Sequence, residues 1–376
     1  MTTTEKMRIC ILAPSLDLLG GQSRQASRLI EGLRKEPSLD VCFIPHNPGL
    51  PSVLRWLQRI KYVRTLVTSL VYWATLVLRL GRYDIIHIFS ASYYSYSLTV
   101  LPAILIAKIY GKKIVLNYRS GEAEDHFQRW RWTALPTIRR ADVIVVPSGY
   151  LVDIFAKFGL RAHSIPNIVE LDRFHFRKRI PLRPVFLTSR LLEPLYNVPC
   201  VLRAFSVIQR RISDASLTVA GDGWQRNELE ELARELGLRN TKFIGRVPWD
   251  KMAELYDAAD IYLTATDIDN MPSSVLECFA SGLPVVTTDA GGVPYILRHE
   301  ETGLMVRRGD HEALAASAIR LLENESLALA IADSAKKECH KYSWHQVRNE
   351  WLKLYRELIS VADVSENKLV ATDGEP

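Results

Sequence analysis

Cysteine is scarce in this 376-residue chain and carries no pattern. Cys10, Cys42, Cys200, Cys278 and Cys339 are odd in number and widely spread, with no CxxC pair. That excludes a disulfide framework and a cysteine zinc site, and it fits a reducing compartment. A secretory leader is lacking, since the apolar run in MTTTEKMRICILAP is short and reads as a strand. The fourteen uncharged residues between Arg64 and Arg79 are too few to span a bilayer. The turn after the first apolar run is Leu19-Gly20-Gly21-Gln22-Ser23 rather than G-x-G-x-x-G, so the dinucleotide fingerprint is missing. Acidic charge is thin in one half only: residues 1–180 hold 26 Lys and Arg against 13 Asp and Glu, while residues 181–376 hold 22 against 29. The basic half has no nucleic-acid motif, so no nucleic-acid partner is expected. Anionic lipid, an acidic acceptor or a merely solvated positive face account for it.

What is present is ordinary for a soluble chain of two domains, with 48% apolar and 24% charged residues. Arg8 to Ser15 reads as a strand, followed by the Gly20-Gly21 turn and a helix over Ala26 to Leu33. Strands at Val41–Pro45, Asp84–Ile88 and Lys113–Tyr118 alternate with helices, and the loop Arg119-Ser120-Gly121-Glu122 follows a strand's carboxyl end, where ligands of such sheets bind. His87 reads as a structural histidine. Around Trp56–Leu80 a basic, aromatic segment runs into the uncharged stretch, which is either a helix buried in the domain or one resting on a membrane surface; burial is the favoured reading. The turn-rich IPNIVELDRF and Arg177-Lys178-Arg179 read as the interdomain link. The boundaries expected are 1–176 and 177–344, with a helix over about 345–362 packing back on the first domain and a disordered tail at 363–376. Alternating strands and helices imply an α/β fold of two doubly wound, Rossmann-like parallel sheets.

Chemistry concentrates in TDIDNMPSSVLECFASGLPVVTTDAGG, residues 266–292. Asp269 precedes a turn, Asn270-Met271-Pro272, and Glu277 lies eight residues on, inside a helix opened by Ser273 and Ser274, with Ser273 as a candidate cap. Between the two acids lie free backbone N–H groups and a positive helix end, where a phosphate can sit. Taken alone, a capped helix containing a Glu is common. Upstream, Arg190 closes a strand, and Ala220-Gly221-Asp222-Gly223 closes another.

In this order the motifs resemble the family 4 retaining glycosyltransferases (glycosyl transferase group 1), over most of the chain and most strongly from Ile165 to Met305. The resemblance implies the B-type fold of two facing domains, the second binding a nucleotide-sugar donor and the first an acceptor that is lipid-linked, a polysaccharide or another glycan. Glu277 matches the acid that holds the donor ribose, and Asp269 the acid that contacts the hexose, where the family usually has a longer Glu. Arg190 matches the diphosphate-gripping arginine. Asn270, Met271, Pro272, Ser273 and Ser274 line the donor site, with the N–H groups near Pro272 to Ser274 holding phosphate through the helix end. Gly20 and Gly21 close on the diphosphate, and Gly221 and Asp222 line the donor cleft. The family's Lys a few residues after the arginine is missing, leaving Tyr196 and Asn197 as polar candidates for phosphate. Its His after the fourth strand is replaced by Arg119, which is expected to supply the missing positive charge. No cofactor and no metal are implied; Asp267-Ile268-Asp269 is formally D-x-D but overlaps the acid motif. Retention by front-face attack, a cytoplasmic location and peripheral contact with the inner membrane face complete the expectation. The alternative is a catalytically weak or inactive partner subunit that binds nucleotide-sugar.

Overall fold

A strand joined to a parallel neighbour needs a crossover, and here the amphipathic stretches between the apolar runs supply it. The computed structural model describes residues 6–17, 20–50, 56, 60–90 and 92–372. The chain divides into two compact units, residues 1–168 with 344–376, and residues 169–343.

Unit 1 is built on β1 (Met7–Ala13), β2 (Leu39–Pro45), β3 (Ile85–Ser90), β4 (Lys113–Tyr118), β5 (Val143–Val146) and β6 (His163–Ser164), all parallel, in the order β2-β1-β3-β4-β5-β6. Residues Ile9 to Ala13 are all buried because helices cover both faces of the sheet. The chain steps outward from β1 to β2 and then back past β1 to β3, so the carboxyl ends of β1 and β3 form a topological switch point. Helix Gly21–Arg34 starts there, and Gln22 donates to the carbonyl of Ser90 at 3.2 Å. His87 is buried between the hydroxyl of Tyr355 (2.6 Å) and the amide of Asn117 (3.0 Å). Burial lowers its pKa to about 3, so it stays neutral and structural.

Three sequence expectations change in this unit and at its border. The segment from residue 363 continues helix Trp344–Thr372 as far as Thr372, since no Gly or Pro interrupts it; residues 373–376 lie outside the described residues. The favoured burial of the uncharged stretch is half right. Helix Lys61–Arg79 buries Tyr72 and Leu76 but leaves Tyr62, Leu66, Leu70 and Leu78 exposed; Leu54, Arg55 and Arg59 lie outside the described residues. The link expected to end at residue 176 joins unit 2 from Val169 onward, because Phe174 packs edge-on to Trp249 and against Tyr256.

Unit 2 repeats the plan with β7 (Val185–Ser189), β8 (Ser216–Ala220), β9 (Thr241–Gly245), β10 (Ile261–Leu263), β11 (Val285–Thr288) and β12 (Leu304–Val306), in the order β12-β11-β10-β7-β8-β9. Arg177 and Arg179, read as part of the interdomain link, belong to unit 2. Arg179 is buried and donates to the carbonyls of Tyr256, Ala259, Ser281 and Gly282. Asp260, fully buried beside it, pairs with Arg177 at 2.6 Å and Arg183 at 2.9 Å.

Candidate active site

In unit 2 the strands deliver the sequence-nominated residues to one end of the sheet. Arg190 follows β7, and its N–H bonds the carbonyl of Ala220 at 3.0 Å. Its guanidinium donates from Nε to Thr264 Oγ1 (3.3 Å) and lies 5.4 Å over the ring of Tyr196. Nη2 stands 3.0 Å from Asp269 Oδ2. The two atoms touch as charges without the alignment of a hydrogen bond, and each is buried without a hydrogen-bond partner. The two atoms are thus spent on each other as an ion pair. Burial works against the Arg190 charge, but Asp269 and the surrounding tyrosine oxygens outweigh it and hold the guanidinium protonated. Burial raises the Asp269 carboxyl, with Arg190 opposing.

The Asp269–Asn270 backbone is held from behind by a glycine pair that the motif reading passed over. Gly292 N–H bonds the Asp269 carbonyl at 2.9 Å. A Cβ on Gly291 would meet that same oxygen at 2.1 Å, and one on Gly292 would meet the Asn270 oxygen at 1.6 Å. Gly292→Ala should therefore displace the loop. We expect turnover to fall at least ten-fold and the urea midpoint to drop, by about 1–3 kcal/mol in stability; unchanged kinetics would mean that the loop is not part of the site. Gly221 behaves alike at φ 136°, where a Cβ would sit 1.8 Å from the Arg190 carbonyl oxygen. Asp222 accepts from the N–H of Gly223 at 3.0 Å, closing the turn after β8.

Asn270, Met271 and Pro272 are buried and lead into helix Ser273–Ser281. Its N-cap is Pro272, not Ser273; Ser273 is the first helical residue and, like Ser274, half-buried. Proline at that position fixes the chain's entry without needing an N–H. The helix ends on Gly282 at φ 66°, where the Arg179 guanidinium holds the last carbonyls. A cation at the C-terminus and an uncapped N-terminus leave the positive helix end open to an anion. Glu277 is buried in the middle of this helix and accepts from the Tyr256 hydroxyl at 3.0 Å.

Two expectations about compensating groups change. Asn197 is committed: it caps helix Val198–Arg211, and its amide donates to Asp267 Oδ1 at 3.1 Å. Tyr196 supports Arg190 through its ring face. Asp267 and Asp269 thus address different partners, and the formal D-x-D is split. Among the described residues no group of three or more His, Cys, Asp or Glu is arranged to hold a metal ion.

In unit 1, Gly20 is the N-cap of helix Gly21–Arg34, and a Cβ on Gly20 or Gly21 would meet nothing within 4 Å. Arg119 follows β4. Its guanidinium packs 5.4 Å from the Phe89 ring centre and donates to Asn117 Oδ1 (3.1 Å) and to Asn167. Burial lowers its pKa to about 9, which leaves it cationic at neutral pH. Sequence reasoning missed Tyr256, Thr264 and the Gly291–Gly292 pair. The glycines stood inside the nominated stretch; Tyr256 and Thr264 carry no local signal, because their roles come from chain segments that meet only in the fold.

The Glycosyltransferase Family 4 model matches residues 19–173 and the Glycosyl transferases group 1 model residues 172–338. An uncharacterized glycosyltransferase of Methanocaldococcus jannaschii is 32% identical over 50% of this chain and 50% of its own length. A GDP-mannose-dependent alpha-(1-6)-phosphatidylinositol monomannoside mannosyltransferase of Mycobacterium tuberculosis is 27% identical over 57% of this chain and 63% of its own. The chain thus spans half to under two thirds of the length of these curated relatives. Among solved structures, Anabaena HepE in complex with UDP-glucose superposes with a TM-score of 0.75 over 93% of this chain and 100% of its own, at 16% identity, a likeness of fold.

Proposed function

The chain belongs to the group 1 glycosyltransferases of family 4, and from that premise we propose that it is a retaining hexosyltransferase. In this reading it moves a sugar from a nucleotide-diphosphate donor to a lipid-linked, polysaccharide or other glycan acceptor at the cytoplasmic membrane face. The observation that carries the reading is the largely buried Arg190–Asp269 ion pair, 3.0 Å apart, in the loop that leads into the helix bearing Glu277. The nucleotide diphosphate leaves with developing negative charge. A guanidinium and the N–H groups that open helix Ser273–Ser281 meet that charge without reorganisation. Glu277, steadied by Tyr256, accepts from the donor ribose, and Asp269 from a hexose hydroxyl. Within unit 1, Gly20 and Gly21 leave open space at the start of helix Gly21–Arg34, and Arg119 stands as a cation after β4. The GDP-mannose dependence of one relative and the UDP-glucose bound to HepE support a nucleotide-sugar donor, and the phosphatidylinositol substrate of that relative supports a lipid-linked acceptor.

The test is turnover of UDP- and GDP-sugars by the purified chain, with the product's anomeric configuration read by NMR. Glu277→Gln should raise the donor KM about ten-fold or more, the worth of a hydrogen bond to a charged group. Full activity in that variant would sink the assignment. Chelation by EDTA should leave turnover unchanged, because Arg190 and the helix end supply the charge a metal would bring; loss of turnover would overturn metal independence. Donor binding with no transfer to any acceptor would instead favour the inactive-partner alternative.

A further inference from the structure

Helix Lys61–Arg79 shows solvent a stripe that a surface helix would ordinarily make polar. Tyr62, Leu66, Leu70 and Val77 are 81%, 62%, 51% and 50% exposed, and their spacing lays them along one side of the helix. The helix cannot roll to hide them. Tyr72 and Leu76 are locked in the core of unit 1, and the Trp73 indole N–H donates to the Leu98 carbonyl at 2.8 Å. The neighbouring helix Leu101–Ile109 widens the patch. Tyr110 donates to the Val77 carbonyl at 2.6 Å, which sets exposed Ile109 beside the end of the stripe. Trp56 and Ile60, before the helix, are exposed as well.

Charge says what covers this face. Between Asp40 and Glu122 the sole acidic residue is Asp84, against ten lysines and arginines. Asp84 is spent on Arg8 at 2.8 Å. Arg64, Arg79 and Arg82 are exposed on or next to helix Lys61–Arg79, while Lys108 on the neighbouring helix is paired with Asp142 at 2.9 Å. The fourteen uncharged residues alone are too few to span a bilayer, but the helix runs on beyond them, and by length and composition residues 62–82 are long and apolar enough to cross a membrane; crossing would strip Tyr72 and Leu76 from the core of unit 1. An apolar stripe with cationic borders, pinned flat on a folded domain, instead matches the boundary between headgroups and acyl chains.

We propose that the outer face of helices Lys61–Arg79 and Leu101–Ile109 docks on an anionic lipid bilayer, with the stripe among the acyl chains and the bordering cations on lipid phosphates. The inference rests on the reading that the acceptor is carried at a membrane, and it assigns the surface that brings unit 1 there. The experiment is co-sedimentation of the full chain with phosphatidylcholine vesicles containing about 30 mol % phosphatidylglycerol. The wild-type chain should sediment with them, at least ten-fold less with pure phosphatidylcholine, and less as salt rises. Leu66→Glu/Leu70→Glu and, separately, Leu105→Glu/Ile109→Glu should each stay in the supernatant. The melting temperature and the UDP-induced shift of unit 2 should remain as in wild type. Wild-type chain left in the supernatant, or variants that still sediment, would overturn the proposal. So would a stable dimer in solution that Leu66→Glu/Leu70→Glu splits while wild type ignores the vesicles, since a second copy would then be the cover. Sedimentation is scored without turnover, so its failure leaves the transferase reading standing, and failure of transfer leaves this one standing.

Discussion

Replacing Arg190 by Ala is expected to cut turnover about 10²- to 10³-fold, the usual cost of removing one preorganised charge donor from a transition state. The guanidinium is fixed on three sides, by Thr264, the Tyr196 ring and Asp269, so its aim costs nothing at the moment of reaction. The substitution has a second consequence. It leaves Asp269 buried without its partner, close to where a diphosphate would sit. That part of the damage separates from the first through Asp269→Asn. The double variant should recover the stability lost in Arg190→Ala, because the uncompensated carboxylate is gone, and yet remain slow, because the phosphate still lacks its cation. Steady-state kinetics with urea titration of the three variants decides the matter. Unchanged turnover in Arg190→Ala would refute the diphosphate role.

Asp260→Ala should destabilise unit 2 by about 3–5 kcal/mol, the cost of breaking a buried ion pair from one side. Arg179 is buried and would remain among carbonyls with its counter-charge removed, while Arg177 and Arg183 would lose partners 2.6 and 2.9 Å away. The loss should reach the site, because Arg179 secures the C-terminal carbonyls of the helix that carries Glu277. Burial alone would raise the Asp260 carboxyl, but its bonds to Arg183 and Arg177 outweigh that and hold it below the usual carboxylate range. An acid whose folded pKa is lowered stabilises fully above its unfolded value, about 3.9, and loses that contribution as pH falls through the folded value. The stability gap between wild type and Asp260→Ala should therefore be flat at neutral pH and close only below about pH 4. An unfolding free energy from urea titration within about 0.5 kcal/mol of wild type would show the cluster to be dispensable.

Much of the plan is legible because the signals are local. Alternation of apolar runs and amphipathic stretches marks the strands and helices, and residues 266–292 carry a turn, a proline and an acid spacing that survive without knowledge of the fold. Arg190, Asp269 and Glu277 stand out for the same reason: each occupies a fixed place in an ordered motif. The illegible parts are those in which a side chain's meaning depends on what lies over it. Arg177-Lys178-Arg179 reads as part of the interdomain link, yet Arg179 is buried as a clamp, since a guanidinium in water and one among carbonyls have the same letter. Asn197 reads as a phosphate ligand until its cap and Asp267 claim it.

The sequence by itself determined that this chain is two doubly wound α/β units with an ordered motif of the group 1 glycosyltransferases in the second, because periodicity, turn chemistry and motif order are properties of neighbouring residues. Only the tertiary structure decided that Arg190 and Asp269 are one buried pair, that Tyr256 stands on Glu277, and that Gly291 and Gly292 press on the Asp269 loop. It also decided which side of helix Lys61–Arg79 is left outside. These are contacts between distant segments, and burial, which sets both their strength and their charge state, exists only once the chain has folded.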